Sequence, residues 1–181
     1  LLFALKICEN GKCGRKDHCL APVIAIFLLV GISTLFVVSV LWTTKKGAPW
    51  EPTKMKMVRL MLEMAEVGPE DVVYDLGSGD GRIPIVAARE FGARAIGIEI
   101  DPVRCYISCL AAKVLGVKDR VEFRREDLFK VDLKGATVVT CYLLQDTNDR
   151  LYTKFRDELA PGTRVVSNTH TFQLISPVQV K

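Results

Sequence analysis

Apolar residues recur with different spacings along this chain, and each spacing predicts a different element. Leu20 to Trp42 carries no charge and is rich in Ile, Leu, Val and Phe. As a helix it is long enough to cross a hydrocarbon core of about 30 Å. Pro22 falls in its first turn, where proline is tolerated, and Trp42 with Lys45 and Lys46 has the form of an interfacial anchor. A cleavable signal peptide has a shorter apolar region and small residues at its exit, which fits poorly here. One transmembrane helix is expected over 20–42. A basic, cysteine-containing flank at 1–19 precedes it, and a linker at 43–52 with Pro49 and Pro52 follows.

From residue 53 onward, short apolar runs alternate with helical spacing. Met57, Val58, Met61, Leu62 and Ala65 share one face of a first helix, which Thr53 can cap and Gly68-Pro69 ends. Val72 to Tyr74 reads as a buried strand and Ile83 to Phe91 as a helix. Ala95 to Glu99 is a short strand, and Asp101-Pro102 places an N-cap and a first-turn proline before a helix running to about Leu115. Val121 to Arg125 alternates like a partly exposed strand, and Ala136 to Leu144 reads as a buried one. Asp146 can cap a helix through Leu159, and Thr163 to Asn168 is a fifth strand. Strand and helix taking turns predict an α/β domain over 53–181, with a parallel sheet, helices on both faces and any ligand along one edge.

Composition narrows the partners. The 181 residues allow one domain and an appendage, and the net charge of +4 is too small and dispersed to argue for nucleic acid. Cys105, Cys109 and Cys141 fall inside elements read as buried, the usual place of reduced thiols, which points to the cytoplasmic side. Cys8, Cys13, His18 and Cys19 match no zinc spacing, so no metal site is expected. The basic residues before and after the apolar stretch are nearly balanced, so charge alone does not orient it.

The candidate chemistry centres on Asp75-Leu76-Gly77-Ser78-Gly79-Asp80-Gly81 between the first strand and the next helix. Gly77, Gly79 and Gly81 permit positive φ and close backbone approach, and a helix start offers free N–H groups to an anionic or carboxylate-bearing ligand. Asp75 separates two readings of such a turn. A carboxylate there repels a pyrophosphate but suits the amino group of a methionine-like moiety, favouring S-adenosylmethionine (SAM) over NAD. Glu99, followed by Ile100, ends the second strand where an acid accepts ribose hydroxyls. Asp127 after the third strand can accept from an adenine amino group with Leu128 against the ring, or equally serve as a helix cap. Replacing Asp75 or Glu99 by alanine is expected to weaken cofactor binding and leave the fold intact. Beyond the fourth strand, Tyr142, Asp146 and Asn148 lie where an acceptor would enter. Tyr142 is equally compatible with a core position, and Asp146 is primarily a cap. Tyr142 and Asn148 are the candidate catalytic residues.

With Pro49-Trp50-Glu51-Pro52-Thr53, Val73 to Ile83, Asp127 to Asp132, Ala136 to Thr140 and Pro161 to Ser167, the chain resembles class I SAM-dependent methyltransferases. Within them it is similar to archaeal protein-lysine methyltransferases. Those are relatives of the membrane-associated family that includes the mitochondrial ATP synthase c-subunit lysine methyltransferase. The resemblance implies a seven-stranded Rossmann-like sheet, SAM as donor, protein lysine as acceptor, and Thr53 and Ser78 beside the cofactor. The archaeal proteins end the fifth strand with Ser-His-acid-Phe, whereas Ser167 here precedes Asn168-Thr169-His170. After that strand only Val178-Gln179-Val180 has strand character, so the sixth and seventh strands are expected to be cut off in an incomplete reading frame. Cys141 to Asp146 lacks the Asn/Asp-Pro-Pro-aromatic run of enzymes that methylate planar amides or base amines. The alternatives are a lipid or quinone acceptor, and a non-catalytic SAM-binding membrane protein. A cytoplasmic catalytic domain with residues 1–19 outside is expected from SAM supply.

Overall fold

The computed structural model describes residues 22–34 and 51–172 of the chain, which divides into two units at 1–39 and 40–181. The N-terminal flank, most of the linker and Val178 to Val180 lie outside the described residues. In the first unit residues 22–34 are helical, and Phe27, Leu28, Leu29 and Ile32 are exposed. No helix among the described residues is long and apolar enough to cross a membrane. The described part of 20–42 therefore does not by itself support a spanning helix, and residues 20–21 and 35–42 are not among those described.

In the second unit five strands form a parallel sheet in the order β3-β2-β1-β4-β5, with β1 Val72–Leu76, β2 Arg94–Ile98, β3 Val121–Arg124, β4 Val138–Cys141 and β5 Arg164–Ser167. The helices are α1 Met55–Met64, α2 Arg82–Glu90, α3 Pro102–Val114 and α4 Gln145–Glu158. Two-residue alternation gives the sheet two apolar faces. Val73 and Val138 join Val58, Leu62, Val86 and Ala87 from α1 and α2 on one face. Tyr74, Leu76 and Val139 join Leu151 and Phe155 of α4 on the other. The chain reverses direction across the sheet between β1 and β4, which opens a crevice at the carboxyl ends of these strands.

Several local expectations shift. Thr53 is not the cap of α1: Lys54 is its N-cap and makes no side-chain capping bond, while Thr53 is buried. Met57 faces solvent, so only Val58, Met61 and Leu62 of α1 are buried. Helix α4 starts at Gln145 after Leu144, which puts Asp146 inside the first turn, where a carboxylate complements the helix dipole without capping. Asp101 is the N-cap expected of it and accepts from Val103 N at 2.8 Å and Arg104 N at 3.2 Å. Cys105 and Cys141 are buried free thiols, but Cys109 is exposed. Strand β4 is shorter than its apolar run, because Tyr142 and Leu143 leave the sheet to wall the crevice and Leu144 becomes the N-cap of α4.

Candidate active site

The glycine turn is held by β2 and by α3. Gly77 has φ +83° and Gly79 φ +57°, a region that side chains with a Cβ rarely adopt, so the chain can fold back over the end of β1. Gly77 N and Ser78 N then both donate to Ile98 O at 2.9 Å. Glu99 Oε2 accepts from Gly79 N, and its Oε1 from Asp101 N, each at 2.9 Å. Ser108 Oγ, from α3, donates to Gly79 O at 3.0 Å. The ring of Phe123 fills the space that glycine leaves at two other positions. A Cβ on Gly81 would lie 2.5 Å from Phe123 Cζ, and one on Gly97 2.5 Å from Phe123 Cδ1.

Three carboxylates from successive strand ends meet beside this turn. Asp75 is 2% exposed and accepts from Thr140 Oγ1 at 2.8 Å. Burial pushes its carboxyl up to about 7 against the opposing Thr140 bond, and the neighbouring Glu99 and Asp80 carboxylates push the same way. Burial also raises Glu99, against the two backbone donors that favour its charged form. Asp127 Oδ1 accepts from Phe129 N at 3.0 Å, so it organises a turn and caps no helix.

The crevice brings together Thr53, Asp75, Gly77, Ser78, Gly79, Glu99, Ile100, Asp127, Leu128 and Tyr142. Its empty volume is about 880 Å³, solvent at the open mouth included. Gly81 and Asn148 are not on its wall. Gly81 is the N-cap of α2 and packs against Phe123 and Ser108. Asn148 is fully buried, and its Nδ2 donates to Ser167 Oγ and to His170 O, both at 3.0 Å. It is a brace for the segment after β5, with no surface to offer an acceptor. That segment uses the backbone of His170, whose carbonyl also accepts from Ser167 Oγ. Cys141, buried in β4 beside Leu76, has its thiol pushed up to about 12 by desolvation, which leaves it inert.

Sequence reasoning missed Asp80, Arg82, Arg104, Glu126 and Leu143, all on the wall. Arg82 Nε bonds Asp80 Oδ1 at 2.9 Å, and its Nη1 donates to Thr53 O at 2.6 Å. Asp80 and Arg82, two residues apart at a helix start, were the available signal. The reach to Thr53 had none.

The family model described as the ANTKMT methyltransferase domain matches residues 75–179. The chain belongs to this methyltransferase family. It is 46% identical over 127 residues to a protein-lysine N-methyltransferase of Saccharolobus islandicus, covering 70% of this chain and 78% of that one. It is 35% identical to the adenine nucleotide translocase lysine N-methyltransferase of Mus musculus, covering 73% and 57%. Against the ATP synthase c-subunit lysine N-methyltransferase of Xenopus laevis it is 32% identical, covering 77% and 60%. The chain thus spans less than two thirds of these two vertebrate relatives. Among solved structures, an RNA methyltransferase from Salinibacter ruber in complex with S-adenosyl-L-homocysteine has 50% identity and a TM-score of 0.71, covering 71% of this chain and 84% of that one.

The methyltransferase crevice fits a ligand with one cationic amine and several hydroxyls. Asp75 is a desolvated carboxylate that a cation would restore to its charged form. Each Glu99 oxygen keeps a lone pair beyond its backbone bond. Ser78 Oγ is buried without a hydrogen-bond partner, which a polar ligand atom can supply.

Proposed function

We propose that the chain is a SAM-dependent methyltransferase that acts on the amine of a protein lysine. The observation that carries this is the meeting of Asp75, Glu99 and Asp127 around the glycine turn in one crevice. Asp75 takes the amino group of SAM, Glu99 the ribose hydroxyls, and Asp127 with Leu128 the adenine. Gly77, Ser78 and Gly79 bring backbone close to the ligand, with Thr53 and Ile100 on the remaining wall. Lysine as acceptor is supported by the names of the archaeal, mouse and frog relatives.

SAM supplies an electrophilic methyl group on a sulfonium, whose positive charge disfavours a second cation beside it. The protein's part is placement, since proximity and orientation account for most of the gain in such a displacement. A lysine with an ordinary pKa of about 10.4 is only about 0.04% neutral at pH 7, so the wall must favour the neutral amine. Tyr142, half-buried on the wall, is the residue that positions the acceptor.

Membrane anchoring belongs to the same reading. It is supported by the uncharged run Leu20 to Trp42 and by the exposed apolar side chains within 22–34. The catalytic unit then faces the cytoplasm, where SAM is made, with residues 1–19 opposite. Protease added to sealed cells should spare the catalytic unit.

The deciding experiment is methylation of membrane extracts by the full chain with labelled SAM, separated into protein, lipid and RNA fractions. Label recovered as methyl-lysine is the expected result. Label in lipid would favour the lipid or quinone acceptor, and label in RNA the activity named for the Salinibacter protein. SAM binding without turnover on any extract would make this a non-catalytic binding protein.

A further inference from the structure

Helix α3 faces the wrong way for an ordinary surface helix. It turns three small side chains, Cys105, Ser108 and Ala112, into the domain. Its large apolar ones, Val103, Tyr106, Ile107, Leu110 and Val114, stand 50–76% exposed. With 3.6 residues per turn, these five fall in an arc of about 100° opposite the buried trio. The outward stripe is apolar where a polar face is expected, and contiguous surface of that kind marks an interaction site.

The charges beside the stripe identify its partner. Lys113 borders it, and Lys118 and Arg120 follow in the loop to β3, all exposed, with Asp119 the single acid from Lys113 to Arg120. An apolar stripe, a tyrosine with a polar tip and a cationic border make the pattern of a helix lying in the interface of an anionic bilayer. A second copy of this face would carry the same positive border, whereas lipid phosphates offer the opposite charge.

We infer that α3 is an interfacial helix that seats the catalytic unit on an anionic lipid surface. This contact is separate from the proposed anchor at 20–42 and does not depend on it. Ile100, just before the N-cap of α3, and Arg104, in its first turn, line the crevice. Docking along this helix therefore sets the crevice beside the headgroups, within reach of acceptors at the bilayer surface.

Hydroxyl-radical footprinting of the full chain tests this in buffer, with phosphatidylcholine vesicles, and with vesicles that also contain phosphatidylglycerol. Oxidation of Tyr106, Leu110 and Val114 should fall several-fold on the mixed vesicles and less on phosphatidylcholine alone. Tyr152 on α4, on the other side of the sheet, should be unchanged. Lys113→Glu combined with Lys118→Glu should restore most of the lost oxidation. A chain that floats with vesicles while Tyr106 and Leu110 oxidise as in buffer overturns the inference and leaves the anchor standing. A chain that does not float overturns both. Equal protection on both vesicle types overturns the anionic partner. Protection without lipid that grows with protein concentration gives the stripe to a second copy.

Discussion

Arg82 Nη1 donates to the carbonyl oxygen of Thr53 at 2.6 Å, while the same guanidinium grips Asp80. One side chain thereby ties the segment before α1 to the turn before α2, and both segments wall the crevice. The side chain is 27% exposed, so the lower end of the range for a charged hydrogen bond, about 1.5 kcal/mol, is the appropriate estimate. Arg82→Gln is expected to weaken SAM binding about tenfold by calorimetric titration. Arg82→Lys should recover little, since an ammonium cannot span both partners. Wild-type affinity in both variants would remove Arg82 as a positioning residue.

Glu99→Ala carries two costs. It removes the proposed ribose acceptor, for which a loss of roughly ten- to a hundredfold in SAM affinity is expected. It also leaves Gly79 N and Asp101 N without their acceptor, so stability should fall by about 2–3 kcal/mol. That corrects the expectation that this substitution spares the fold. Glu99→Gln keeps one acceptor oxygen and should melt closer to wild type. Thermal melts without SAM separate this loss from the change in affinity, and equal melting of Glu99→Ala and wild type would contradict it.

Asp75 should make SAM binding depend on pH. Its folded carboxyl titrates at about 7, above the ordinary 3.8, so the folded protein holds a proton across that window that the unfolded chain releases. This group's contribution to stability is therefore full below about pH 3.8 and lost as pH rises towards 7. Pairing with an ammonium needs the ionised form, and an α-amino group stays protonated up to about 7.7. Affinity should rise with pH up to about 7 and fall again above about 7.7 as the free ammonium loses its proton, with close to one proton released on binding at about pH 6. Calorimetry in two buffers of different ionisation enthalpy reads that proton. Asp75→Asn should abolish the release, and a wild-type protein that releases none would exclude Asp75 as the ammonium partner.

Gly97→Ala tests the slot around Phe123. The added methyl would lie 2.5 Å from Phe123 Cδ1 and 2.8 Å from Ser78 Oγ, so β2 and the ring cannot both stay in place. Overpacking of this kind costs about 1–3 kcal/mol, and denaturant unfolding should show it. Pairing it with Phe123→Leu should return part of the loss. A Gly97→Ala protein as stable as wild type would show that the slot yields.

The order of strands and helices, the glycine turn and the Asp101-Pro102 cap were legible because each is written in neighbouring residues. Alternation sets a strand's two faces, and a cap needs only a side chain beside its own N–H groups. The crevice was legible for the same reason: in a parallel sheet, residues that end strands arrive together at one edge. Asp75, Glu99 and Asp127 met there on that rule alone. Asn148 and Gly81 followed the same logic and fell outside, since a position near the edge does not say whether a side chain faces the crevice or the core.

The sequence by itself determined which segments become strands, which become helices, and where a cofactor turn lies. Only the tertiary structure decided that Glu99 holds the turn as well as facing the crevice, and that Arg82 reaches back to Thr53. It alone decided that one phenylalanine occupies the space of two glycines. Helix α3 shows the reason most plainly. Both of its faces are apolar, so periodicity could not choose between them. The choice fell to close packing, in which Ser108 reaches Gly79 O and the small side chains of Cys105 and Ala112 let the helix lie near the sheet, turning Tyr106 and Leu110 outward.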